Sequence, residues 1–166
     1  MPAARSFLAA LGATALLTAA GCSSPPSGTD SLAAGRARVL ALVNEAASTL
    51  PASGVHPSPP ATGTSPCKRT LLGYAVGNTG KHRVEAPILV RVDPNVDPKA
   101  LLGPIEARWR AAGYTVDRSD IDDARYPKIR AQTPDGYDVV ATALLTPTRQ
   151  LDLYATSKCL RGASTS

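Results

Sequence analysis

Three cysteines constrain this chain more than any other feature: Cys22 directly follows an apolar run, while Cys67 and Cys159 stand far apart in what comes after. Arg5 is the only charge ahead of the run from Phe7 to Ala20, which makes a thin basic start and a short apolar stretch. Such a run is too short for a comfortable membrane span and ends in small residues, so it reads as an export leader. Export sends the rest of the chain to an oxidising compartment, where Cys67 and Cys159 are an even pair and are expected to bond to each other. The alternative is two free thiols, but a thiol nucleophile would want a histidine partner, and no spacing in the chain supplies one. A bond closing so long a loop contributes about 4–5 kcal/mol in the chain-entropy account, a large share of a small domain's stability.

Ala19-Ala20-Gly21-Cys22 resembles the lipobox of bacterial lipoproteins, with Ala19 standing where many lipoboxes have Leu and Leu17 two positions earlier. The resemblance implies a diacylglyceryl group on the Cys22 thiol, cleavage between Gly21 and Cys22, and a protein anchored by lipid to the extracytoplasmic face of the cell membrane. Two acyl chains, at about 0.8 kcal/mol per buried methylene, hold stably where one holds marginally. A plain secretory leader is the other reading. Ser23-Ser24-Pro25-Pro26-Ser27-Gly28 is polar and suits a tether. The organisation expected is a signal peptide at 1–21, a flexible tether at 22–30, and a single domain at 31–166 with a Pro-rich spacer at 51–66.

Within that domain aromatics are scarce, 4% of the chain with one Trp and one Phe, so the core must rest on Leu, Val, Ile and Ala. Fifteen prolines and thirteen glycines are too many for a helical bundle. Thr29, Asp30 or Ser31 can cap a helix that runs to about Leu50, where Pro51 stops it. Its face is Leu32, Val39, Val43, Ala46 and Leu50, with Arg36 and Arg38 off the stripe; such a face covers a sheet more often than it lies on a membrane. Residues 51–66 should be extended and poorly packed. Strands follow at Thr70–Val76 and Val84–Val92, with Gly77-Asn78-Thr79-Gly80 as the turn between them. Asp97-Pro98 opens a second helix with Leu101, Ile105, Trp109 and Ala112 on one face, kinked at Gly103-Pro104 or starting at Pro104, and closed by Gly113. Tyr114–Asp117, Lys128–Gln132, Tyr137–Leu145 and Gln150–Thr156 read as further strands. Thr133-Pro134-Asp135-Gly136 and Thr146-Pro147-Thr148 supply turns, and the last strand carries Leu151 and Leu153 on one face. The expected fold is α+β: an antiparallel or mixed sheet of five or six strands with two helices packed on one face.

Net charge is +5, and the excess lies early: residues 23–92 hold seven Lys/Arg against three Asp/Glu, while residues 93–166 hold ten of each. Lys68, Arg69, Lys81, His82 and Arg83 form a candidate binding patch on the first hairpin, the alternative being a solvated turn. Nucleic acid is not expected, because no aromatic platform interleaves with the charges. Asp117, Asp120, Asp122 and Asp123 cluster in a loop, but they lack the alternating ligands and central Gly of a calcium site, and Arg118 and Arg125 compete for them. His56 sits in the spacer with no partner nearby in sequence. No phosphate loop, nucleophile elbow or metal-spaced His pair occurs, so neither catalysis nor a cofactor is expected.

Trp109-Arg110-Ala111-Ala112-Gly113-Tyr114, Thr133-Pro134-Asp135-Gly136-Tyr137 and Ser157-Lys158-Cys159 are similar to the pattern of small lipoproteins of high-GC Gram-positive bacteria. That resemblance covers the C-terminal half, implies a cell-surface lipoprotein, and carries over no catalytic residue. Two functions remain. One is a non-catalytic envelope interaction module, tethered to the membrane through Cys22 and contacting another envelope protein or a wall polymer. The other is a carrier or receptor for a small apolar ligand such as a lipid, which needs an apolar cavity.

Overall fold

A computed structural model describes residues 31–71 and 74–161. The leader, the lipobox with Cys22, the tether and the last five residues lie outside the described residues.

The first helix, α1, spans Leu32–Ala47 and begins where the Ser31 hydroxyl accepts a hydrogen bond from the Ala34 N–H. It buries Gly35, Val39, Leu42, Val43 and Ala46. It stops short of the expected Leu50, because the Ser48 and Thr49 hydroxyls donate back to the carbonyls of Glu45 and Ala46 and satisfy the last turn. Leu32 and Leu50 are only partly buried at the core's margin.

Among the described residues eight strands follow: β1 (Val55–Pro57), β2 (Gly63–Leu71), β3 (Tyr74–Val92), β4 (Thr115–Asp117), β5 (Lys128–Gln132), β6 (Asp138–Leu144), β7 (Gln150–Thr156) and β8 (Leu160–Arg161). The second helix, α2 (Leu102–Ala111), lies between β3 and β4 in sequence. All the strand pairings are antiparallel. The continuous order is β1-β3-β7-β6-β5-β4, and β2 and β8 pair with the long β3 as well. The α+β expectation therefore holds, with every pairing between these strands antiparallel and one isolated parallel bridge joining Ser31 to Arg161.

Register explains the core. Ile88, Leu153, Ala141 and Ile129 lie directly opposite one another across four strands, and each is at most 1% exposed. Their strand neighbours alternate to the other face, as a pleated backbone requires. Helix α1 packs on β3 and β7, while α2 packs on β4, β5 and β6, so that Leu42, Ile105 and Trp109 join the same buried cluster. Small residues at Ala86, Ala141, Ala143 and Ala155 give those large side chains room. The backbone of α1 comes closest at Gly35, where an added Cβ would collide with Leu160 Cδ1.

Polar ties fix the helices at their rims. Arg38 donates Nε and Nη2 to the two carboxylate oxygens of Asp135, at 2.9 and 3.2 Å, joining α1 to the β5–β6 turn. Glu45 accepts from Arg108 Nε at 2.8 Å and from the Tyr114 hydroxyl at 2.9 Å, joining α1 to α2 and the start of β4. Burial, and then the Glu45 carboxylate, raise the Tyr114 phenol above its ordinary value.

Several expectations need correcting. Gly77-Asn78-Thr79-Gly80 is not a turn; it lies inside β3, and the chain reverses between Leu71 and Tyr74, which pair. The register slips by two residues between the Pro66↔His82 and Lys68↔Asn78 pairs, so the glycine-rich stretch is a bulge. Gly80 takes the positive φ (71°) that this bulge needs. Residues 51–66 are extended as expected, but they are not a free spacer. Val55–Pro57 pairs with the end of β3, and Ser58 exchanges bonds with Leu89. Helix α2 starts at Leu102, because the chain from Asp97 to Leu101 forms tight turns, and Pro104 falls in the first helical turn where no donor is missed. Gly113 closes the helix as expected, with Tyr114 N–H reaching the Trp109 carbonyl. Ala112 is exposed and leaves the apolar face. Finally, Gln150–Thr156 is followed by one more strand, β8.

Candidate functional site

The first half of β3 outruns the body of the sheet. Beyond the pairs Lys81↔Arg161 and His82↔Leu160, only β2 accompanies it, so β2 and β3 form a two-stranded arm. At about 3.3 Å per residue, the five steps from Pro66 to Leu71 carry its tip about 17 Å past that point. Every residue from Tyr74 to Lys81 is exposed.

The expected disulfide is present and ties the root of the arm to the segment between β7 and β8, with Cα atoms of Cys67 and Cys159 6.1 Å apart. Thr79 supports the bulge beside it, donating its hydroxyl to the Cys67 carbonyl at 3.0 Å and accepting from Lys81 N–H at 3.3 Å. Next to the disulfide lies a depression of about 280 Å³, lined by Ser65, Pro66, Lys68, Arg83 and Glu85 together with both cysteines. Ser65 donates to Glu85 Oε1 at 2.6 Å. Burial, and then the same carboxylate, push the Tyr154 phenol up to about 12.

The five residues singled out as a patch all fall on this arm, but not at its tip. Lys68 and Arg83 meet at the disulfide; Arg69 lies further out, opposite Gly77. Lys81 and His82 sit at the root, opposite Arg161 and Leu160 of β8. Arg161 was not anticipated, and it faces Lys81 directly, a like-charge pair that disfavours itself. No Asp or Glu occurs anywhere from Gly63 to Val84. Among the described residues, ion pairs in the body of the domain join Arg38, Lys99, Arg108, Arg110, Arg118, Lys128 and Arg130 to carboxylates, while Arg36, Arg91, Arg125 and Arg149 enter none. Lys68, Arg69, Lys81 and Arg161 enter none of them.

A second depression, about 660 Å³, opens on the side of β4, β5 and β6 away from the core and is lined mainly by Thr115, Asp117, Lys128, Arg130, Gln132 and Asp138. Lys128 and Arg130 both pair with Asp120, at 3.3 and 3.2 Å. Asp117 accepts from the N–H and hydroxyl of Ser119, which hold its carboxyl below the usual range; the N–H groups of Tyr126 and Arg125 do the same for Asp123. The acidic loop thus spends its oxygens on its own backbone and on neighbouring cations, with Asp122 3.4 Å from Lys99. His56 does have a partner, Asp93 Oδ1 at 3.2 Å, brought to it by the β1–β3 pairing. Asp152 stands between Leu89 and Thr142 on the adjacent strands, and burial raises its carboxyl above the usual value.

Compared with known proteins, the chain matches no family model, no curated protein and no solved structure.

Proposed function

We propose that this protein is a non-catalytic interaction module of the bacterial envelope, held at the extracytoplasmic face of the membrane by lipid on Cys22, which binds an anionic partner through the β2–β3 arm. One observation carries the reading. Seven Lys and Arg residues of the body pair with carboxylates, whereas Lys68, Arg69, Lys81 and Arg161 are gathered at a ribbon that carries no acidic residue from Gly63 to Val84 and enter no ion pair among the described residues. Unmatched charge held on a projecting ribbon draws anions from a distance and costs self-repulsion until one arrives. In this reading both helices lie on one face of the sheet, the other face stays open, and the disulfide fixes the arm's angle.

A carrier for an apolar ligand is the second reading, and the 660 Å³ depression is the observation in its favour. Four of its nine lining residues are charged, Asp117, Lys128, Arg130 and Asp138, and an apolar guest would have to lie against them, which suits it less than the arm suits an anion.

The test uses the full-length chain with Cys22→Ser, so that no acyl chain holds it, and isolated cell envelopes in a salt titration. Replacing Lys68, Arg69, Lys81 and Arg83 with Gln is expected to weaken retention by at least tenfold and to flatten the salt dependence. Equal retention of parent and variant would overturn the arm as the binding surface. Intact mass of the unsubstituted chain reads the anchor separately, as the mass of lipid on Cys22.

A further inference from the structure

We propose that the anionic partner of the arm is an anionic phospholipid surface, with phosphate headgroups against Lys68, Arg69, Lys81 and Arg161 and the side chains of Tyr74 and Val76 in the interface beneath them. The inference rests on the reading of the arm as a binding surface and goes further by naming what is bound.

The argument begins at the tip. Tyr74 is 77% exposed and Val76 53%, and they are two of only four large hydrophobic side chains so exposed among the described residues. Both lie within four residues of the point where the arm reverses, at the far end from the core. Val76 occupies the second irregularity of the arm, between the pairs Arg69↔Gly77 and Thr70↔Ala75, which gives β3 one extra residue there. An apolar tip on a cationic stem matches the order of chemistries met on approaching a bilayer, phosphate first and hydrocarbon boundary next. Tyrosine suits that boundary because its ring is apolar and its hydroxyl wet.

Other anions fit less of the arm. A single-stranded nucleic acid wants successive stacking platforms, and the arm offers one aromatic. A wall polymer or a soluble polyphosphate meets the cations and leaves Val76 with nothing to contact. The one acid near the stem, Glu85, is engaged by Ser65 and lies at the root, on the far side of the disulfide from the tip. Reach is adequate as well. A tip about 17 Å out can enter an interface 5–10 Å deep while the body of the domain stays in water.

The experiment uses the full-length Cys22→Ser chain carrying Tyr74→Trp. The native Trp109 is 1% exposed, so its emission is a constant background. Vesicles are phosphatidylcholine alone, or the same with about one third phosphatidylglycerol, each made with and without bromine on the acyl chains. The reporter is expected to shift to the blue and be quenched by bromine only where phosphatidylglycerol is present. Adding Lys68→Gln and Lys81→Gln should lower that partitioning about 25-fold, roughly fivefold for each cation removed. Val76→Ser should lower it severalfold with Trp109 emission unchanged. A reporter that stays in water on the anionic vesicles overturns the proposal, as does tight binding of soluble polyphosphate with no vesicle partitioning. In either case envelope retention that still depends on the arm cations leaves the interaction reading standing, with a polymer or protein as partner. Retention that ignores those cations removes both.

Discussion

Cutting the Cys67–Cys159 bond tests how this domain holds together. The bond closes a loop of 92 residues, and the chain-entropy relation for that length gives about 4.6 kcal/mol at 25 °C, arising in the unfolded ensemble. The native state needs little from the bond itself. Gly63 to Pro66 stay registered on Glu85 to His82, and Leu160 is buried under Gly35 and Val84 whether or not the sulfurs are joined. With Cys67→Ala and Cys159→Ala together, the fold should therefore persist with most of that free energy missing. Urea unfolding followed by the emission of the single Trp109 measures it. At an m-value of about 2 kcal/mol per molar, the midpoint should fall by about 2 M, and m should rise because the uncrosslinked unfolded chain exposes more surface. Reduced wild-type protein should match the double variant, which separates the bond from the loss of the sulfur atoms. A loss below about 1 kcal/mol with m unchanged would refute the reasoning, since the unfolded chain would then gain little freedom from release.

Two further substitutions probe the fold away from the sulfurs. Gly35→Ala should destabilise by about 1–2 kcal/mol in the same assay, although alanine favours a helix, because the added methyl meets Leu160 and Val84 in a filled core. Asp152→Asn should stabilise at pH 7 by about 0.5 kcal/mol, seen as a rise in Tm of about 2 °C. Burial raises the folded carboxyl of Asp152, so its contribution is fully present below the unfolded pKa and lost as pH rises through the folded value. The advantage of Asn should accordingly vanish near pH 3, and a gain that persists there would assign the effect to something other than the charge.

What sequence patterns reveal here is local, and what they miss is long-range. Ser31, Gly113 and the Asp135-Gly136 turn each satisfy backbone groups within a few residues, so their roles are legible from neighbours alone. The Gly77-Asn78-Thr79-Gly80 stretch has the same local chemistry, and positive φ at Gly80 serves a bulge as well as a turn. The choice between them is made at a distance. Cys67 must reach Cys159, and Lys81 and His82 must meet β8, which draws the basic triplet down to the root of the arm and moves the reversal out to Leu71 and Tyr74. Leu42 and Gly35 were missed for a related reason: a stripe drawn on one helix cannot show how closely β3 and β8 approach it.

The same displacement changes what the patch can do. A basic turn would present Lys81, His82 and Arg83 at the very tip, where solvent screens them and nothing opposes their separation. At the root the backbone ladder fixes Lys81 opposite Arg161, and the disulfide gathers Lys68 and Arg83 around one depression. The covalent tie and the sheet thus hold like charges together that would otherwise spread apart. That repulsion is carried by the folded state until an anion relieves it. Affinity for an anion and stability of the arm are therefore linked, and neutralising Arg161 should weaken one while it strengthens the other.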